Sequence, residues 1–131
     1  MVASQTKVVA FGGGHGLAAT LTALRDVTPN ITAVVTVADN GGSSGKIRSE
    51  FNFLPPGDLR MALAALCGAD SWGQSWAETI QHRFTSDGEL NGHALGNLLL
   101  AALWDSSDDL VAGIDRVGEL LKIIGRVLPM S

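Results

Sequence analysis

The chain has 131 residues, of which 46% are hydrophobic and 17% charged, and a formal net charge of −4. So high an apolar fraction with so small a charge excludes a disordered chain. The acidic balance argues against broad electrostatic binding of nucleic acid or anionic lipid, and a lone cysteine, Cys67, excludes an internal disulfide.

This length suits one domain. No apolar run reaches the ~20 residues of a membrane span. The opening MVASQTK lacks the basic-then-apolar order of a secretory signal. A cytoplasmic protein without membrane insertion is expected. Glycine is unevenly placed, with seven of the 16 before residue 46.

In chain order, Lys7 to Phe11 is a short apolar run ended by glycines and reads as a buried strand. Leu17, Leu21 and Leu24 then recur at helical spacing. Residues 31–37, rich in β-branched side chains, predict a second strand. Strand, glycine turn, helix and strand within about 30 residues make a βαβ unit, so the two strands are expected to be parallel. Residues 38–58, with three glycines before position 46 and Pro55-Pro56-Gly57 near the end, read as a long loop.

Helices follow. Asp58 is placed to cap one that carries Leu59, Leu63 and Leu66 and stops at Gly68. Ser71 and Gln74 form a capping-box pattern ahead of Trp76, Ile80 and Phe84. Residues 95–104 are apolar on every side and predict a buried helix. Ser106 and Asp109 suggest a further box before Ile114, Val117, Leu121 and Ile124, with Gly125 as the C-terminal cap. Val127 and Leu128 begin what reads as another strand. Two strands and the start of a third cannot bury so many helices on two faces, so either the chain is part of a larger α/β domain, the favoured reading, or another subunit supplies the missing surface.

Three stretches carry candidate chemistry. In Phe11-Gly12-Gly13-Gly14-His15-Gly16, between strand and helix, backbone N–H groups and the helix dipole favour an anion. Gly14-x-Gly16-x-x-Ala19 fits the relaxed dinucleotide pattern, and a tight packing turn is the bland alternative. Asp39, closing the second strand beside Asn40, suits a ribose hydroxyl, a divalent cation such as Mg²⁺, or a simple turn cap. Gly41-Gly42-Ser43-Ser44-Gly45-Lys46-Ile47-Arg48 is not a P-loop, since Asn40 and Ile47 stand where glycine and a hydroxyl are required. Its hydroxyls and its cations, Lys46 and Arg48, still suit an anion; a solvated linker is the alternative.

His93 and Asn97, four apart, are expected on one face of the apolar helix, beside Gly92 and Gly96. They bond either backbone groups or a ligand reached through the gap that the glycines leave. No second histidine completes zinc spacing with His93. Cys67 reads as an inert core thiol, His82 as a surface residue, and Trp72 with Trp76 as core or subunit contact. No base–nucleophile pair is evident, so an enzymatic reading rests on Asp39 and His93.

Together GGGHG, TVADNGGSSGKIR, LPPGDLR and GHALGNLLLAAL resemble the YvcK branch of the CofD-like proteins, the gluconeogenesis factor or UPF0052 family. The likeness runs from Lys7 to about Pro129. His15, Asn40, Met61 and Ala94 depart from the residues usual there, and Asn40 removes one of two adjacent acids that a metal site would use. The resemblance implies a Rossmann-like three-layer α/β fold with a parallel sheet, of which residues 1–131 form the N-terminal part of a single nucleotide-binding domain. It also implies a nucleotide-sugar ligand such as UDP-N-acetylglucosamine, dimerisation, and roles in gluconeogenic growth, cell-wall synthesis and cell shape. CofD relatives are transferases that move a phospholactyl group from a guanylyl donor. The expected nucleotide site is therefore Gly12, Gly13, Gly14, His15 and Gly16 with Asp39, Asn40, Gly41, Gly42, Ser43, Ser44, Lys46, Arg48, Asp58, His93 and Asn97. Asp39 is the catalytic candidate if the protein is an enzyme, with no firm cofactor beyond a possible Mg²⁺ there.

Overall fold

A computed structural model describes residues 6–37, 41–51 and 53–130. Three strands, β1 (Val8–Gly12), β2 (Ile31–Thr36) and β3 (Arg126–Met130), form one sheet in the order β1-β2-β3. Both pairings are parallel, in a register that aligns Ala10, Ala33 and Val127 across the sheet. The βαβ expectation holds, and the expected third strand pairs with β2 over Arg126–Met130. Among the described residues six helices accompany the sheet: α1 (Gly14–Leu24), α2 (Gly42–Phe51), α3 (Gly57–Ala65), α4 (Ser71–Gln81), α5 (Leu95–Ser106) and α6 (Leu110–Leu121).

Alternation along the strands decides which face is covered. Ala10, Ile31, Ala33, Val35 and Val127 point into the core with Leu17, Leu21, Leu59, Leu63, Ile114 and Val117 from α1, α3 and α6. The opposite face carries Phe11, Val34 and Leu128 side by side, and Phe11 is 67% exposed. A parallel sheet is ordinarily buried on both faces. The described residues thus supply the sheet and one helical layer of a three-layer α/β fold.

Local chemistry shifts several expected boundaries. The stretch expected to be a long loop contains α2. Gly45 N–H bonds the Gly41 carbonyl at 3.1 Å, and Ser43, Ser44 and Ile47 are buried on one side. Its glycines and serines are poor helix formers, so tertiary docking against α5 outweighs propensity. The caps of α4 and α6 are Asp70 and Asp109, whose carboxylates accept from Gly73 and Ala112 N–H at 2.8 and 2.9 Å. The Ser71–Gln74 and Ser106–Asp109 boxes do not form.

At the start of α3, Pro56 takes the cap position with no side-chain bond, so Asp58 falls within the first turn. α6 ends at Leu121 with Lys122 in the left-handed conformation, not at Gly125. α5 is buried along one side only, with Leu98, Leu99 and Leu103 half-buried and Ala102 exposed, because no further layer covers it among the described residues. His93 precedes α5: Ala94 is extended and bridges Arg83 antiparallel, and the Leu95 N–H bonds the His82 carbonyl, so helical geometry begins only at Leu95.

Candidate functional site

A cleft of about 980 Å³ opens where α1 and α2 begin, beyond the C-terminal ends of β1 and β2. This is the usual ligand position of an open parallel sheet. It is lined by Gly14 and His15, by Thr36 at the end of β2, by Gly41 through Ser44, and by Gly57, Asp58, Arg60 and Met61 of α3. Gln81 and Arg83 complete the wall.

Packing fixes the glycine turn at its mouth. Gly13 is extended, and a Cβ there would collide with Thr36 Oγ1 and come within 2.5 Å of Asp58 Oδ2. Thr36 Oγ1 in turn donates to Asp58 Oδ2 at 3.4 Å. Asp58, in the first turn of α3, thus joins the end of β2 and packs close to Gly13, just past β1. The first turn of α1 leaves its N–H groups without helical partners, as every helix start does. Around α2, Gly42 adopts φ +50° and has no other group within 4 Å of where a Cβ would sit.

Two buried polar pairs stand behind the wall. Arg60, only 6% exposed, donates from Nε to Gln81 Oε1 at 2.6 Å and from Nη1 to Asn97 Oδ1 at 2.8 Å. These acceptors are neutral amides, and the two bonds orient the guanidinium plane. Ser43 Oγ lies 2.7 Å from His93 Nδ1, and both residues are buried. Asn97 is fully enclosed, and its Nδ2 has no hydrogen-bond partner among the described residues.

Of the residues expected from sequence, the structure brings Gly14, His15, Gly41, Gly42, Ser43, Ser44 and Asp58 to the cleft. Gly12, Gly13, Gly16, His93 and Asn97 do not line it. His93 backs Ser43, and Asn97 backs Arg60. The gap at Gly96 is taken by the stem of Arg60: a Cβ there would come within 2.7 Å of Arg60 Cγ. Lys46 is exposed on α2 away from the cleft lining. Asp39, Asn40 and the Arg48 side chain lie outside the described residues, so the cation expected at Asp39 does too.

Arg60, Gln81, Arg83 and Thr36 were missed. Arg60 stands in LPPGDLR, where a cation two residues after an acid in an otherwise apolar helix was the available signal. The Ser43–His93 pair supplies a hydroxyl beside an imidazole that the linear sequence did not reveal. Cys67 is enclosed and its thiol is pushed up to about 11 by burial, as an inert core residue requires. His82 is exposed, as expected. Trp76 packs against the core, but Trp72 does not enter it: it is exposed, donates to the Leu120 carbonyl at 3.1 Å and lies beneath the Lys122 ammonium. Among the described residues, no helix is long and apolar enough to cross a membrane.

A glycine-rich strand-to-helix turn in a parallel sheet, with a second helix start facing the same crevice, defines a Rossmann-like α/β protein. The chain belongs to the CofD family, whose model, described as 2-phospho-L-lactate transferase CofD, matches residues 8–131. A protein of Mycobacterium leprae is 57% identical over 127 residues, covering 97% of this chain and 35% of its own length. The gluconeogenesis factor of Listeria innocua is 45% identical over 128 residues, covering 98% and 39%. The crystal structure of protein BH3568 from Bacillus halodurans superposes with a TM-score of 0.89 at 43% identity, over 98% of this chain and 40% of that one. A further crystal structure of BH3568 is described as a member of the UPF0052 family. The chain thus spans well under half the length of these relatives and corresponds to part of the longer domain they carry.

Proposed function

We propose that the protein binds a nucleotide sugar of the UDP-N-acetylglucosamine type in this cleft and acts as a regulator rather than a catalyst. The observation that carries this reading is convergence. The first turns of α1 and α2 and the oriented Arg60 guanidinium border one cavity of about 980 Å³, at the upper end of the size of small-molecule sites. The diphosphate lies against Gly14, His15 and the Gly41–Ser44 turn, with Arg60 supplying charge; Asp39, outside the described residues, is the candidate for a ribose hydroxyl or a cation. Relatives named gluconeogenesis factor support a role in growth on gluconeogenic carbon sources; control of cell-wall synthesis and cell shape, a cytoplasmic location and a dimer belong to the same proposal.

Calorimetry with UDP-N-acetylglucosamine, GDP and NAD tests it. Heat with the UDP-sugar is the expected result. Binding of NAD without the UDP-sugar would replace this reading with a dinucleotide-binding one.

The description of the family model, together with the Asp58 carboxylate in the cleft wall, favours a second reading, a transferase of phosphorus-containing groups. That reading requires turnover of a nucleotide-activated donor which disappears in Asp39→Ala or Asp58→Ala. Binding without turnover across donor and acceptor panels returns the regulator.

A further inference from the structure

Ser43 and His93 are separated by 50 residues in the chain but by 2.7 Å in space. Ser43 sits in the first turn of α2 and lines the cleft, whereas His93 stands behind it, in the segment leading into α5. Both are buried, at 6% and 9% exposure, so water does not readily replace either partner.

A serine hydroxyl has one proton and two lone pairs. The state of the neighbouring ring nitrogen therefore decides what Ser43 presents to the cleft. Against a bare Nδ1, the hydroxyl donates to the ring and turns only lone pairs outward, which repel an anionic oxygen. Against a protonated Nδ1, the ring donates to Oγ, and the hydroxyl proton turns outward to bond that oxygen. If the hydroxyl turned outward while Nδ1 stayed bare, two acceptors would face each other in a buried contact, an arrangement that folded proteins avoid.

We propose that His93 is a positioning residue for the cleft: an anion bound beside Ser43 selects the form of His93 with its proton on Nδ1, and His93 so aims the Ser43 hydrogen bond at the ligand. The inference rests on the reading of the cleft as a phosphate site. Moving the ring proton from Nε2 to Nδ1 conserves net charge, so the selection is between tautomers of neutral imidazole and needs no titration. The docking of α2 against α5 and the Ser43–His93 bond are then one feature, with α5 fixing the donor direction of a turn whose own residues hold it weakly.

The test is long-range ¹H–¹⁵N spectroscopy of the histidine ring nitrogens, with inorganic pyrophosphate as first probe and UDP-N-acetylglucosamine as second. In either complex His93 Nδ1 is expected at the resonance position of a protonated ring nitrogen. A calorimetric cycle gives an independent readout. His93→Asn, whose amide N–H can stand in for Nδ1–H, keeps the affinity for pyrophosphate. His93→Asp, which can only accept, weakens it about tenfold more when Ser43 is present than in a Ser43→Ala background, the size of one charge-assisted hydrogen bond.

A complex in which Nδ1 is bare and Nε2 carries the proton overturns the proposal while leaving the phosphate reading intact. So does an Asp substitution that weakens binding equally with and without the Ser43 hydroxyl, because the effect is then charge alone. Failure of both probes to bind the unaltered protein overturns the phosphate reading, and this inference with it.

Discussion

The glycines fall into two groups that differ in what occupies the space of the missing side chain. In the scaffold that space is filled by the protein itself. A Cβ on Gly73 would lie 2.7 Å from Gly68 N, one on Gly96 2.9 Å from the Ile80 carbonyl oxygen, and one on Gly125 3.0 Å from the Ile31 carbonyl carbon. At Gly14 and Gly42, which line the cleft, the space is open. Nothing lies within 4 Å of such an atom on Gly42, and only Asp58 Oδ1, at 4.0 Å, approaches one on Gly14. Scaffold glycines let backbone meet backbone, whereas Gly14 and Gly42 leave room that no part of the described chain fills. Open space beside helix-start N–H groups is what a ligand phosphate requires.

The sharpest break of this comparison comes from Gly125→Ala. The position combines φ +90° with a Cβ that would overlap the Ile31 carbonyl, so strain and overpacking act together. A loss of about 3 kcal/mol is expected from urea unfolding, with β3 the element disturbed. A cost below ~1 kcal/mol would mean that the turn before β3 gives way and that the scaffold is looser than its contacts imply.

Closure of the scaffold also has a pH signature. Burial raises the Cys67 thiol to about 11, so the folded state favours the neutral thiol. The stability this contributes is complete below the ordinary thiol value of 9.0 and is lost as pH rises from there toward 11. The full loss, reached above pH 11, is about 3 kcal/mol, because each of the two pKa units is worth roughly 1.4 kcal/mol. Comparing unfolding of the protein with that of Cys67→Ala between pH 8 and pH 11 isolates this contribution, because the lysines are common to both. Parallel curves would show that the thiol ionises freely in the folded state.

Gly42→Ala probes the other group. The left-handed backbone costs about 1 kcal/mol for alanine, while the methyl group enters the open space of the cleft. Affinity for UDP-N-acetylglucosamine is expected to fall at least tenfold, well beyond what the small loss of stability explains. Unchanged affinity would move the ligand away from the start of α2.

The elements that were legible in the sequence are those whose signal is local. The run ending in Phe11, the β-branched segment ending at Thr36 and the glycines between them fixed β1, α1, β2 and their parallel order. Even the shortfall of sheet was readable, because two strands and the start of a third cannot bury the predicted helices on two faces; the exposed Phe11 marks the face left bare. α2 was not legible, because Gly42, Ser43, Ser44 and Gly45 disfavour a helix on their own and form one here by docking Ser43 against His93. Arg60 was hidden for a related reason. Its meaning depends on Gln81 and Asn97, which lie 21 and 37 residues away, and on the absence of a side chain at Gly96. The candidate site was thus readable at its glycine turns and unreadable where its wall is held from behind.

The smallest expected effect belongs to Gly16→Ala, and it tests where the open space of the cleft ends. Gly16 is in the first turn of α1, with an ordinary helical backbone and nothing within 4 Å of where its Cβ would sit, yet it does not line the cleft. Alanine loses less backbone freedom on entering a helix, so a gain of up to about 0.5 kcal/mol is expected in urea unfolding. Affinity for UDP-N-acetylglucosamine should stay within about twofold, since one alanine methyl pointing into solvent touches no ligand and removes no donor. If binding collapses instead, the ligand runs along the α1 turn past His15, and the boundary between solvent-facing and ligand-facing glycines lies one residue further into the helix than the cleft lining places it.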